Sequence, residues 1–214
     1  MQHIINREKR NAALGARIVK ALEQRNMEAY YVKTKEEALA QALQLIPESS
    51  SISFGGTMSA IEIGLIDALK EGNYEVYDRA DASTVEEDKA ITLKAFDVDF
   101  YLGSVNAMSE DGVLINVDGR SNRVAAYAFG PKHVLLIVGM NKVCKSYNEA
   151  MSRARNEASP INAQRFGIEP PCIATGSCQD CTHKQCICCN IMITRYQRDY
   201  GRVKLILVDD VLGF

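Results

Sequence analysis

The chain contains no tryptophan, and only 7% of its 214 residues are aromatic. A platform of exposed rings for stacking nucleotide bases is therefore not built into it. It also lacks a surplus of positive charge: 25 Lys and Arg face 27 Asp and Glu, a formal net charge of −2, and the pI is about 6.0. A nucleic-acid or anionic-membrane surface would show a concentrated basic stripe. Long apolar runs are missing too. The longest, Val134 to Met140, is far too short to cross a bilayer. The opening MQHIINREKRNAALG has no apolar segment of the kind a secretory signal needs. The expectation is a cytoplasmic chain with neither a membrane span nor a nucleic-acid partner. Histidine is scarce, with three scattered residues, and no serine sits in a nucleophile elbow, so no catalytic triad is apparent. Walker and dinucleotide fingerprints, internal repeats and low-complexity tracts are absent as well.

What is present is ordinary globular material, 47% hydrophobic and 24% charged. Residues 1–214 are enough for one largish domain with a substantial core. Helix and strand patterns alternate. Apolar residues recur at helical spacing from Arg7 to Gln24 (Leu14, Ile18, Leu22), and Ala29 to Val32 follows as a strand. Thr34 with Glu37, and Thr84 with Glu87, read as capping boxes that open helices. Ser59 to Glu71 reads as one helix stopped by Gly72, and Ser50 to Phe54, Tyr74 to Tyr77 and Val98 to Leu102 as strands. Asp111-Gly112 is a hairpin signal between two apolar runs. Val134 to Val138 and Leu205 to Val208 are continuous Val, Ile and Leu, the pattern of strands covered on both faces. Together these elements predict a three-layer α/β/α sandwich with a mostly parallel sheet.

In open α/β sheets, ligands bind beyond the carboxyl ends of the strands. Three polar, glycine-containing segments fall at such ends: Gly55-Gly56-Thr57, Gly103-Ser104-Val105-Asn106, and Gly139-Met140-Asn141-Lys142. Glycine lets backbone approach an anion, a following helix start offers free N–H groups, and Lys142 adds positive charge. The expected ligand is a small anion, with Gly55, Gly56, Thr57, Asn106, Asn122, Arg123, Asn141 and Lys142 as its binding candidates. Asp118 and Arg123 read either as a pair that locks a loop or as ligand contacts. Ser121 or Asn122 can cap the helix that starts near Val124. Arg153, Arg155 and Arg165 read as a solvated helix face, with Arg165 alternatively facing the anion or an acidic partner protein.

The wording of the middle of the chain is more specific. Asn106-Ala107, Asp111-Gly112, Asp118-Gly119, Asn122-Arg123-Val124-Ala125-Ala126, Gly130-Pro131 and Gly139-x-Asn141-Lys142 resemble the LUD domain, the lactate-utilisation family that includes LutC-like proteins. The similarity runs from about Asn11 to Phe214. It implies the fold shared with ribose-phosphate isomerase, glucosamine-phosphate deaminase and CoA transferases (the NagB/RpiA/CoA-transferase-like fold). It also implies a role in oxidising lactate or another 2-hydroxy acid beside iron–sulfur partner subunits, with a homodimer also open. Ser109-Glu110-Asp111-Gly112 is similar to the Ser-Glu-Asn-Gly turn of class I CoA transferases, where the glutamate attacks acyl-CoA. That makes Glu110 a candidate nucleophile, against the plainer reading of a solvated hairpin tip. The alternative function is a free-standing CoA-transferase or phosphosugar-isomerase-like enzyme, with Glu110 or Asp118 as its catalytic carboxylate.

Six of the seven cysteines lie between Cys172 and Cys189, in the order Cys172-x5-Cys178-x2-Cys181-x4-Cys186-x-Cys188-Cys189. They form a Cys-rich insertion over residues 170–190, ahead of the last strand. Soft thiolates crowded in a reducing compartment suit a metal, either structural zinc or an electron-carrying [4Fe-4S] cluster. Free redox-sensitive thiols and a docking surface are the competing readings. The family resemblance favours Cys172, Cys178, Cys181 and Cys189 as ligands, with Cys188 contesting the fourth place and His183 able to replace one. Cys144 is expected as a buried thiol on a helix.

Overall fold

The computed structural model describes residues 2–214, with side chains from residue 6 onward. In chain order the elements are α1 (Gln2–Gln24), β1 (Glu28–Val32), α2 (Lys35–Leu45), β2 (Ser51–Phe54), α3 (Met58–Glu62), α4 (Leu65–Glu71), β3 (Glu75–Tyr77), α5 (Val85–Lys94) and β4 (Phe100–Gly103). There follow β5 (Ala107–Ser109), β6 (Leu114–Asp118), α6 (Asn122–Ala128), β7 (His133–Gly139), β8 (Val143–Cys144), α7 (Tyr147–Arg153), α8 (Ser159–Ala163), α9 (Pro171–Thr175), β9 (Asn190–Thr194) and β10 (Val203–Val208).

Six strands form a sheet in the order β1-β10-β7-β4-β2-β3, and every neighbouring pair in it is parallel. The continuous apolar runs lie at its centre, where successive side chains point to opposite faces. Val134, Leu136 and Val138 of β7, with Leu205 and Leu207 of β10, pack against Leu14, Ile18 and Leu22 of α1. Leu135 and Ile137, with Ile206 and Val208, pack on the other face against Ala38 and Ala42 of α2 and Ile66 and Leu69 of α4. This is the three-layer α/β/α arrangement expected from the sequence. A second sheet, β8-β5-β6-β9, stands beyond the carboxyl end of β4. Its β5–β6 hairpin turns at Asp111-Gly112, where Gly112 takes the positive φ (+87°) that such a turn requires.

Three local expectations are corrected. The helix expected over Ser59 to Glu71 is two helices, because Gly64 adopts φ +75° and breaks the hydrogen-bond ladder between α3 and α4. Thr34 caps α2, but the Glu37 carboxylate accepts from Lys33 N rather than closing the box on Thr34. At Thr84 and Glu87 the box is complete. Cys144 lies in the short strand β8, not on a helix, and is only partly buried. Among the described residues no helix is long and apolar enough to cross a membrane.

Candidate functional site

The carboxyl ends of β2, β3, β4 and β7 open into one cleft of about 630 Å³. Gly55, Gly56 and Thr57 form one wall; Ser104, Val105 and Asn106 form another; Lys142 and Gly213-Phe214 close it. The second sheet and its helix add Asp118, Asn122 and Arg123, and Arg165 enters from beyond α8. Loops after separate parallel strands thus converge, as the topology predicts for a doubly covered sheet.

Charge within the cleft is unevenly distributed. Arg79, Arg120, Arg123, Arg165 and Lys142 line it, against Asp118 as the single carboxylate of the lining. Three of the guanidinium groups are already engaged. Arg123 donates from Nε to Asp118 Oδ2 at 3.2 Å, from Nη1 to Asn116 Oδ1 at 3.3 Å, and from Nη2 to Asn106 Oδ1 at 3.3 Å and to the Val117 carbonyl at 2.5 Å. It also lies over the Tyr127 ring. Arg123 is therefore mainly the brace that ties β5, β6 and α6 together. Arg79 and Arg120 both pair with Asp88. Arg165 differs. Its guanidinium donates to Asn162 Oδ1 at 3.1 Å but has no carboxylate partner among the described residues, and it lies beside Gly56, 5.6 Å from the centroids of both the Phe166 and Phe214 rings.

Two polar groups in the cleft are buried and under-used. Thr57 is 4% exposed, and its hydroxyl has no hydrogen-bond partner among the described residues. Lys142 is 3% exposed and donates only to Ser59 Oγ at 3.2 Å and Ser104 Oγ at 3.0 Å. Burial pulls the pKa of this amine down to about 7. Instead of the fixed positive charge expected from sequence, it titrates near neutrality.

The family model described as the LUD domain matches residues 15–208. The chain belongs to the LUD domain family. Among curated proteins nothing matches. A DUF162 family protein from Deinococcus radiodurans has a similar solved structure at 12% identity and a TM-score of 0.52, covering 92% of this chain and 96% of that one. At that identity the likeness is one of fold. Ribose 5-phosphate isomerase A from Neisseria gonorrhoeae (15% identity, TM-score 0.36, covering 53% of this chain and 54% of that one) aligns over only about half of each chain. The ribose 5-phosphate isomerase from Plasmodium falciparum (15%, 0.34, 52% and 52%) does the same.

Within this LUD domain the cysteines build a separate cavity of about 320 Å³, lined by Cys172, Cys178, Cys181, Cys186, Cys188 and Cys189 with Arg155 and Asp180. Cys186 and Cys189 bring their sulfurs to 3.5 Å. Burial and the neighbouring thiols push Cys188 up to about 11 and raise Cys172 as well. Arg155 donates to Cys178 Sγ at 3.8 Å and pairs with Asp180. Among the described residues no three His, Cys, Asp or Glu side chains are arranged as a metal site. The six thiols around one cavity are nevertheless a donor set that suits zinc or iron.

The cleft gathers Gly55, Gly56, Thr57, Asn106, Asp118, Asn122, Arg123 and Lys142 from the sequence candidates, and Arg165 with them. Two candidates lie elsewhere. Asn141 turns away, its Oδ1 accepting from Leu212 N at 3.1 Å. Glu110 sits on the β5–β6 hairpin, paired with Arg17 and, at 2.9 Å, with Lys145. The helix starts expected at these loops are short: α3 has five residues, and Gly139 leads into a single 3-10 turn. Ser121 stands at the N-cap of α6 without a capping side-chain bond; its Oγ accepts from Asn190 instead. Sequence reasoning missed Arg79, Ser59, Gln185, Ile187 and Phe214. Only Arg79 carried a usable signal, because it closely follows the strand Tyr74 to Tyr77.

Proposed function

We propose that this LUD-domain protein binds a small organic anion in the cleft, and that it serves, LutC-like, in the oxidation of lactate or another 2-hydroxy acid. The observation that carries this reading is the pairing of an uncompensated Arg165 with the orphaned hydroxyl of Thr57 in one cleft. A carboxylate or phosphate satisfies both: it supplies acceptors to the guanidinium and to Thr57 Oγ1. Lys142, when protonated, adds to the same field. Family membership supports the metabolic setting.

The thiol cavity belongs to the same reading. Cys172, Cys178, Cys181 and Cys189 would hold the metal, with Cys188 adjacent. As zinc it would brace a loop with little core of its own; as a [4Fe-4S] cluster it would carry electrons toward iron–sulfur partner subunits. The reducing cytoplasm is the setting in which such thiols stay available. The alternative of a free-standing CoA-transferase or phosphosugar-isomerase-like enzyme has Asp118 alone in the cleft as its carboxylate, and Asp118 is tied to Arg123.

Calorimetric titration with lactate, pyruvate and inorganic phosphate tests the reading. Saturable binding that weakens about tenfold in Arg165→Gln supports it, the loss expected for one charge-assisted contact. Absence of binding by all three anions overturns it.

A further inference from the structure

Lys142 is buried in a way that anion binding alone does not require. It follows β7 in a single 3-10 turn, and its amine lies on the cleft floor between Ser59 of α3 and Ser104 beyond β4. Those two hydroxyls lie 3.3 Å apart. The chain crosses directly above: a side-chain carbon on Gly213 would stand 3.0 Å from Ser59 Oγ and 3.2 Å from Lys142 Nζ. Gly213, at φ +55°, leaves room for the amine where another residue would press on it. A lysine used only as a counter-charge would be expected to pair with a carboxylate or sit in water, and Lys142 does neither.

We propose that Lys142 is a nucleophile that forms an imine with a small carbonyl compound bearing a carboxylate or phosphate group. The proposal rests on the reading of the cleft as an anion site. Arg165 and Thr57 would hold the anionic group and so present the carbonyl carbon to the amine. The nitrogen lone pair of the neutral amine attacks that carbon, forming a C–N bond as the carbonyl π pair moves to oxygen. Loss of water from the carbinolamine then gives the C=N bond. Both amine hydrogens leave with the former carbonyl oxygen, so no oxidant or reductant is consumed. Ser59 and Ser104, each within hydrogen-bond reach of the nitrogen, can relay those protons. Burial is the main cause keeping the neutral amine populated near pH 7. Arg153 of α7 acts in the same direction, Glu62 of α3 opposes it, and Arg123 of α6 adds a smaller push.

Borohydride trapping tests the step. The protein is incubated with pyruvate or, separately, glycolaldehyde phosphate, reduced, and analysed by intact mass and peptide mapping from about pH 6 to about pH 9. The expected result is one adduct, heavier by the carbonyl compound less one oxygen atom, on the peptide carrying Lys142. Its yield should rise as pH passes about 7 and vanish in Lys142→Met. Which probe is trapped decides between carboxylate and phosphate. If Lys142→Met does not fold, the map of the wild-type protein still decides, with exposed Lys184 as an internal control. Calorimetric binding of either probe without an adduct at Lys142, or with labelling confined to surface lysines, overturns the imine and leaves anion binding standing. Neither binding nor adduct overturns both.

Discussion

Arg153 donates to the carbonyl oxygen of Asn106 at 2.5 Å, while its Nε donates to the carbonyl of Asn141 at 2.9 Å. One side chain, 8% exposed, therefore staples the loop after β4 to the loop after β7. Removing it leaves two loop carbonyls without a donor. Arg153→Met is expected to cost about 2 kcal/mol, a fall in Tm of about 4–8 °C for a chain of this size. Anion affinity should fall with it, since the staple sets the spacing of Asn106 and Lys142. A thermal melt paired with calorimetry checks this; an unchanged Tm would show that the two loops hold their positions without the staple.

Thr57→Val removes a buried hydroxyl that has no partner among the described residues. An unsatisfied buried group costs free energy, so a near-isosteric apolar replacement should leave Tm unchanged or raise it by a few degrees, about 1 kcal/mol being worth about 2–4 °C. Binding should move the other way, weakening about tenfold if that hydroxyl meets the ligand. Opposite signs for stability and affinity are the signature of a group kept for binding. Equal affinity in both proteins would remove Thr57 from the site.

The layers of the fold were legible in the sequence because hydrophobic periodicity reports burial directly. Val134 to Val138 and Leu205 to Val208 had to be covered on both faces, and they are neighbouring interior strands of the sheet. The cleft was legible in part, since strand ends in a parallel sheet fall on one edge and Gly55, Asn106 and Lys142 follow three of them. What stayed hidden depends on side-chain direction and on distance along the chain. Asn141 and Lys142 are adjacent, yet one binds Leu212 N and the other lies under Gly213. No local pattern separates them. Arg123 shows the same limit: its spacing to Asp118 allowed a pair, but only the fold brings Asn106 and Asn116 to its remaining donors.

Asp99 lies at the amino end of β4 and makes the stability of the fold depend on pH. Its carboxylate accepts from Ser51 N at 2.8 Å, from Ser51 Oγ at 2.7 Å and from Lys132 Nζ at 2.5 Å. The Lys132 bond and then the Ser51 bonds hold its pKa well below the ordinary carboxylate range. A folded pKa lowered in this way stabilises the protein above the unfolded value and is lost as pH falls through the folded one. Asp99→Asn should therefore cost about 1 kcal/mol at neutral pH, after allowance for solvent screening. The gap from wild type should narrow below about pH 4 and close at lower pH. Urea melts at neutral and acidic pH check the sign; a gap that widens on acidification contradicts it.

Gly119 and Ile187 connect the thiol cavity to the cleft. A side-chain carbon on Gly119 would lie 3.1 Å from Ile187 Cα, so the Cys-rich loop packs directly on the cleft wall. Ile187 lines both cavities and sits between Cys186 and Cys188. Any change that repositions those thiols must move Ile187, and with it one side of the anion site. Gly119→Val would push from the opposite direction without touching a sulfur, at a packing cost of about 1–3 kcal/mol. Anion affinity is expected to fall several-fold in Gly119→Val, with a comparable fall when protein purified without oxygen is stripped of zinc or iron by a chelator. Matching effects would identify the loop as a mechanical link between metal state and ligand binding. If the chelator leaves affinity unchanged while Gly119→Val lowers it, the wall is mechanically important but insensitive to the metal.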